Sequence, residues 1–138
     1  IITASGGPFL NKKLSEIMPN GSSIINISSL GSVKVLSNYF SVGISKSALE
    51  NITRYLSIEL SSKGIKVNSI SPGIIKTEAL DSFPEGSDVR NPEIYQTPAG
   101  KPLEAENVSD LVNFLCSEES DMIRGQNIII DGGQSLIV

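Results

Sequence analysis

Three short apolar runs, each separated from the next by enough chain for a helix, restrict the possible folds more than any other feature. They are SSIINISS (22–29), IKVNSISPG (65–73) and GQNIIIDGG (125–133). Runs this short, bounded by Pro-Asn-Gly, Pro-Gly and Gly-Gly, read as strands buried on both faces. Between the first two lies 40–62, a long amphipathic helix with Leu49, Ile52, Leu56 and Leu60 on one stripe. Between the second and third, 104–120 repeats the pattern with Val108, Leu111, Val112 and Leu115. Residues 9–18 give an earlier helix through Phe9, Leu10, Leu14, Ile17 and Met18, stopped by Pro19-Asn20-Gly21. Strands alternating with helices predict a parallel sheet covered on both faces, the second half of a doubly wound α/β domain.

Such sheets bind ligands beyond the carboxyl ends of their strands. The polar residues gather there: Ser28 and Ser29, then Asn68 to Thr77, then Asp131. A dinucleotide-binding domain should also open with a glycine-rich turn that lets backbone N–H groups approach a pyrophosphate. The nearest candidate, IITASGGPFL at 1–10, has Gly6-Gly7 but loses an N–H to Pro8 and lacks a third glycine. The expectation is that the half carrying the phosphate loop is absent from these residues, and that the chain alone is inactive. Residues 78–102 carry Pro84, Pro92, Pro98 and Pro102 with little periodicity, and read as a substrate lid.

Charge and composition exclude several functions. The net charge is −4 with 11 basic residues and no basic run, which argues against a nucleic-acid or anionic-membrane surface. Apolar runs of four residues or fewer cannot span a bilayer. With no histidine, Ser-His-Asp and Cys-His catalysis and most transition-metal sites are removed, and no metal is expected. The single cysteine, Cys116, forms no disulfide within the chain and lies at apolar helix spacing, so it reads as a packing residue. A reducing, cytoplasmic location follows naturally.

SNYFSVGISKSALE (37–50) carries Tyr39 and Lys46 with six residues between them. Seven helical positions are close to two turns, which sets both side chains on one face about 10 Å apart along the axis. A helix-start aromatic and a solvated lysine are the plain alternative.

INISSLGS, the long stretch NYFSVGISKSALENITRYLSIELSSKGIKVNSISPGIIKT and MIRGQNIIIDGG together resemble the carboxyl-terminal half of the short-chain dehydrogenase/reductase family. Tyr-x6-Lys, rather than Tyr-x3-Lys, resembles its enoyl-acyl-carrier-protein reductases. TPAGKP and DMIRGQ most resemble the NADPH-dependent type III enzyme. The resemblance implies a Rossmann-like fold and reduction of trans-2-enoyl thioesters on acyl-carrier protein or CoA in fatty-acid biosynthesis. NADPH would be the reductant, with NADH the alternative, and the intact enzyme would be a homotetramer. It assigns catalysis to Tyr39 and Lys46. Ser29 falls in the family's serine slot, which some enoyl reductases fill with a second tyrosine; closing a strand end is the equally weighted structural reading. The resemblance also assigns cofactor contacts to Lys46, Pro72, Gly73, the Ile75 backbone and the Thr77 hydroxyl, although Thr77 at the same place would also cap a short helix. Leu80, Phe83, Ile94 and Tyr95 would line the acyl site or simply pack. A carbonyl reductase, a polyketide-pathway enoyl reductase and an inactive truncated fragment are the rival readings.

Overall fold

The computed structural model describes residues 2–3, 13, 16–76 and 95–137 of the 138-residue chain. Four strands form one sheet: β1 (Ile2–Thr3), β2 (Ser23–Ile27), β3 (Lys66–Pro72) and β4 (Asn127–Ile130). Their spatial order is their sequence order, and every neighbouring pair is parallel. Helix α1 (Phe40–Glu59) connects β2 to β3, and α2 (Ala105–Cys116) precedes β4. This is the Rossmann-like α/β arrangement expected from the strand and helix alternation. The Ile2–Thr3 strand is an addition, because two residues carry no periodicity. The helix expected over 9–18 lies largely outside the described residues.

Each face of the sheet buries its own cluster. Ile24 and Val67 pack against Leu56 and Leu60 of α1, together with Ile65. Ile25 and Ile70 pack against Leu115 of α2, with Val108, Leu111 and Val112 around them. The period-2 alternation of β2 therefore sends neighbouring isoleucines to opposite helices.

Along the face under α1, polarity rises from one end of the strands to the other. Ile24 meets Leu56 and Leu60; two residues on, the Asn26 amide donates to Thr53 Oγ1 at 2.9 Å; two further on, Ser28 Oγ donates to Glu50 at 2.5 Å. Register brings Ser69 beside Asn26; Ser69 Oγ donates to Asn127 Oδ1 of β4, and Ser71 Oγ lies within hydrogen-bond reach of both that oxygen and Glu50. The buried polar atoms named here are thus partnered, which burial demands. The carboxyl end of the sheet, where α1 begins, is where those polar residues collect.

Candidate active site

Beyond β2 the chain runs extended through Ser29 and tightens into a 3-10 turn, Leu30–Ser32. Ser29 Oγ caps that turn by accepting from Gly31 N–H at 3.2 Å, and it also accepts from the Tyr39 phenol at 3.2 Å. Ser29 thus closes the strand end and also touches the tyrosine. Tyr39 is the N-cap residue of α1, yet its side chain makes no cap bond to that helix. The phenol turns to Ser29 instead.

Two glycines make this approach feasible. A Cβ on Gly31 would stand 2.5 Å from Cδ1 and Cε1 of the Tyr39 ring, and one on Gly43 would stand 2.7 Å from Gly31 O. The loop after β2 therefore lies directly on the first turn of α1. A Tyr-x3-Lys spacing would set a phenol at residue 42, which is Val42, itself 39% exposed.

Lys46 lies two turns further along α1. Its Nζ donates to Ile27 O at 2.8 Å, which anchors the ammonium at the carboxyl end of β2. Burial holds its pKa below the ordinary lysine value, because a partly desolvated ammonium loses hydration. Tyr39, Lys46 and Ser29 are thereby brought to one strand end.

Pro72 and Gly73 close β3 beside them. A cavity of about 160 Å³ is lined by Ser29, Leu30, Pro72, Gly73, Ile74 and Ser135, among others. Gly73 must be glycine, since a Cβ there would stand 2.9 Å from Asp131 Cβ. Ile75 follows within the described residues and is half-buried. Thr77, Leu80, Phe83 and Ile94 lie outside the described residues, as does most of the lid expected over 78–102. Tyr95 is half-buried. A larger cavity, about 410 Å³, lies along the loop and the start of α1 and includes Tyr39, Phe40 and Ile44 in its lining. Volume does not decide between them: Ser29, Pro72 and Gly73 all line the smaller one.

Several residues at this site carry no sequence signal. Lys34 Nζ donates to Ser135 O at 2.6 Å and, with Gln134, lines the smaller cavity. Asp131 organises a turn: its carboxylate accepts from Gly133 N–H at 2.8 Å and Ser135 N–H at 2.7 Å. Burial pushes its pKa up, but the Ser135 and Gly133 hydrogen bonds and the charge of Lys34 outweigh it and hold the carboxyl below its ordinary value. Asn68 fastens structure, donating to Ile123 O and accepting from Gln126 N–H. Cys116 differs from expectation. It is exposed, and Leu115 takes the core position at the end of α2. Among the described residues no helix is long and apolar enough to cross a membrane.

A family model described as enoyl-(acyl carrier protein) reductase matches residues 2–135. The chain belongs to this branch of the short-chain dehydrogenases/reductases. It is 32% identical over 124 residues to a 1-cyclohexenylcarbonyl-CoA reductase of Streptomyces collinus, covering 88% of this chain and 44% of that protein. It is 34% identical over 130 residues to the NADH enoyl-[acyl-carrier-protein] reductase FabI of Aquifex aeolicus, covering 93% and 48%. Among solved structures, the angucycline C-6 ketoreductase LanV with bound NADP superposes with a TM-score of 0.78 at 35% identity, covering 94% and 50%. The chain thus spans about half the length of the relatives it matches. Those relatives include both enoyl and carbonyl reductases and both nicotinamide cofactors. Oxidoreductase chemistry of the nicotinamide-dependent kind is common to them.

Proposed function

We propose that this chain supplies the catalytic half of an NADPH-dependent reductase of trans-2-enoyl thioesters, carried on acyl-carrier protein or CoA and serving fatty-acid synthesis. The observation that carries this reading is the Tyr39 phenol, seven residues before Lys46 and 3.2 Å from Ser29 Oγ. The residues fit a nicotinamide nucleotide: an ammonium anchored at a strand end suits ribose hydroxyls, and two neutral hydroxyls suit a carbonyl. When bound, the nicotinamide supplies the hydride.

Reducing a ketone puts hydride on the carbon bearing the oxygen. Reducing a conjugated enoyl thioester puts it on the β-carbon, so charge develops on a carbonyl oxygen several bonds away. A donor for that oxygen has to stand back from the hydride line, and Tyr39, at the very start of α1 and seven residues before Lys46, would do so. Its phenol donates to the developing enolate oxygen, an oxyanion-type stabilisation. Lys46 holds the ribose and presents positive charge beside the phenol, which favours proton donation. Ser29 keeps the phenol oriented between these tasks. The exposed apolar row on α1, Phe40, Ile44, Tyr55 and Ile58, supports assembly of the intact enzyme into a homotetramer through that helix. Cytoplasmic operation and a separate half bearing the glycine-rich phosphate loop complete the proposal.

The test is parallel assay of the full-length protein with crotonyl and acetoacetyl thioesters, NADPH and NADH. Turnover of crotonyl thioester, reduced about 100-fold or more by Tyr39→Phe, is expected. Turnover of acetoacetyl thioester alone would replace this reading with the carbonyl-reductase one, which the Ser29–Tyr39 contact also suits.

A further inference from the structure

Glu50 lies one helical turn beyond Lys46 on α1 and is 7% exposed. Its Oε1 gathers three hydroxyls: Ser28 Oγ and Ser32 Oγ each donate at 2.5 Å, and Ser71 Oγ stands at 3.2 Å, sharing its one proton with Asn127 Oδ1 at 3.1 Å. Each hydroxyl stands on a different piece of the site. Ser28 adjoins Ser29, Ser32 ends the 3-10 turn that rests on α1, and Ser71 adjoins Pro72-Gly73. The fourth piece is α1 itself, which carries Tyr39 and Lys46.

We propose that Glu50 is a positioning residue, a single carboxyl oxygen that fixes the strand ends and loop of the active site against the helix bearing the tyrosine and lysine. Packing alone does not call for it. The same helix face is filled by Leu49, Leu56 and Leu60, and an apolar residue at 50 would avoid burying a carboxyl group. What an apolar residue cannot do is gather three hydroxyls from three segments at one point. The loop has a second tie, Ser47 Oγ donating to Ser32 O at 2.5 Å, and the Gly31–Gly43 contact besides. Losing Glu50 therefore leaves the loop attached but free to shift, and a shift of about 1 Å in a reacting group is enough to cost about 100-fold in rate. The catalytic consequence rests on the enoyl-reductase reading; the fixing of the segments does not.

The experiment compares Glu50→Leu, Glu50→Gln and Ser32→Ala in the full-length protein by steady-state kinetics and amide hydrogen exchange. Glu50→Leu should lower kcat by about 100-fold while KM for cofactor changes less than about threefold. Glu50→Gln keeps an accepting oxygen with two lone pairs for three donors, and should recover about tenfold of that loss. Amides of 28–33 and of Ser71, Gly73 and Ile74 should exchange about tenfold faster in Glu50→Leu, with those of 53–57 and 66–68 unchanged. A uniform rise in exchange across sheet and helix, or a rate loss that Gln does not relieve, would make Glu50 a fold-stabilising residue only and overturn the proposal. If Glu50→Leu does not fold, Ser32→Ala decides: faster exchange confined to 29–33 supports the proposal and wild-type exchange there overturns it. If the wild type reduces neither thioester, the functional reading fails, and the exchange pattern alone decides the role of Glu50.

Discussion

A methyl group on Gly31 would stand 2.5 Å from two carbons of the Tyr39 ring, whereas one on Gly43 would strike the Gly31 carbonyl at 2.7 Å. These two substitutions should separate position from stability. A ring can swing away, so Gly31→Ala should lower kcat about tenfold or more while costing about 1 kcal/mol of stability, the low end for overpacking. A carbonyl held by its own turn yields less, so Gly43→Ala should cost about 2–3 kcal/mol as well as activity. Urea unfolding beside steady-state rates distinguishes them; equal stability losses would show that the ring is as fixed as the backbone. At this scale the sequence is partly legible. The Tyr39–Lys46 spacing points to a shared strand end because helical rise is fixed. Glu50 was not legible, because a glutamate four residues after a lysine reads as an ordinary solvated pair on a helix surface. Only the fold shows that its face is the buried one, opposite three serines that are distant from it in sequence.

Helix and strand identities followed from periodicity, but their ends depended on local chemistry. The helix expected over 40–62 stops at Glu59, and the chain passes through a 3-10 turn at Ser61–Lys63 to Gly64, whose φ of 66° is left-handed. Glycine tolerates that conformation and so ends the element. Lys66 is a less visible case. At the edge of an apolar run it reads as a solvated flank, yet it is 4% exposed, and its Nζ donates to Ser117 O at 2.5 Å and Ser120 Oγ at 2.9 Å. One side chain thus ties the start of β3 to the turn after α2. Lys66→Met keeps the aliphatic stem and removes the donor, leaving buried acceptors without that partner. The expected cost is about 1–3 kcal/mol, read as a lower urea midpoint with little change in m. An unchanged midpoint would mean that water replaces the ammonium and that this tie contributes nothing.

Across the molecule, the parallel sheet covered on both faces was legible because alternating strands and helices leave few other arrangements. Closure of the site was not, since it depends on contacts between distant parts of the chain: Lys34 reaches Ser135, and Asp131 organises the turn that presents Ser135. This linkage makes stability depend on acid in a definite direction. Hydrogen bonds and the nearby lysine keep the Asp131 pKa lower in the folded chain than in the unfolded one, despite burial. The unfolded chain therefore takes up the proton first as pH falls. The contribution of Asp131 is complete above the ordinary aspartate value of about 3.9 and is lost as pH drops through the folded value. Asp131→Asn removes one of the two accepting oxygens and sets an amide N–H₂ against a backbone donor. At pH 7 it should lose about 1–3 kcal/mol, and the gap to wild type should narrow at pH 3, because the unfolded wild-type chain then takes up a proton that the folded carboxylate resists. The comparison is of urea midpoints for both proteins at the two pH values. A gap of equal size at both would mean that the turn depends on shape alone, and that the carboxylate charge has no part in holding the carboxyl-terminal segment over the active site.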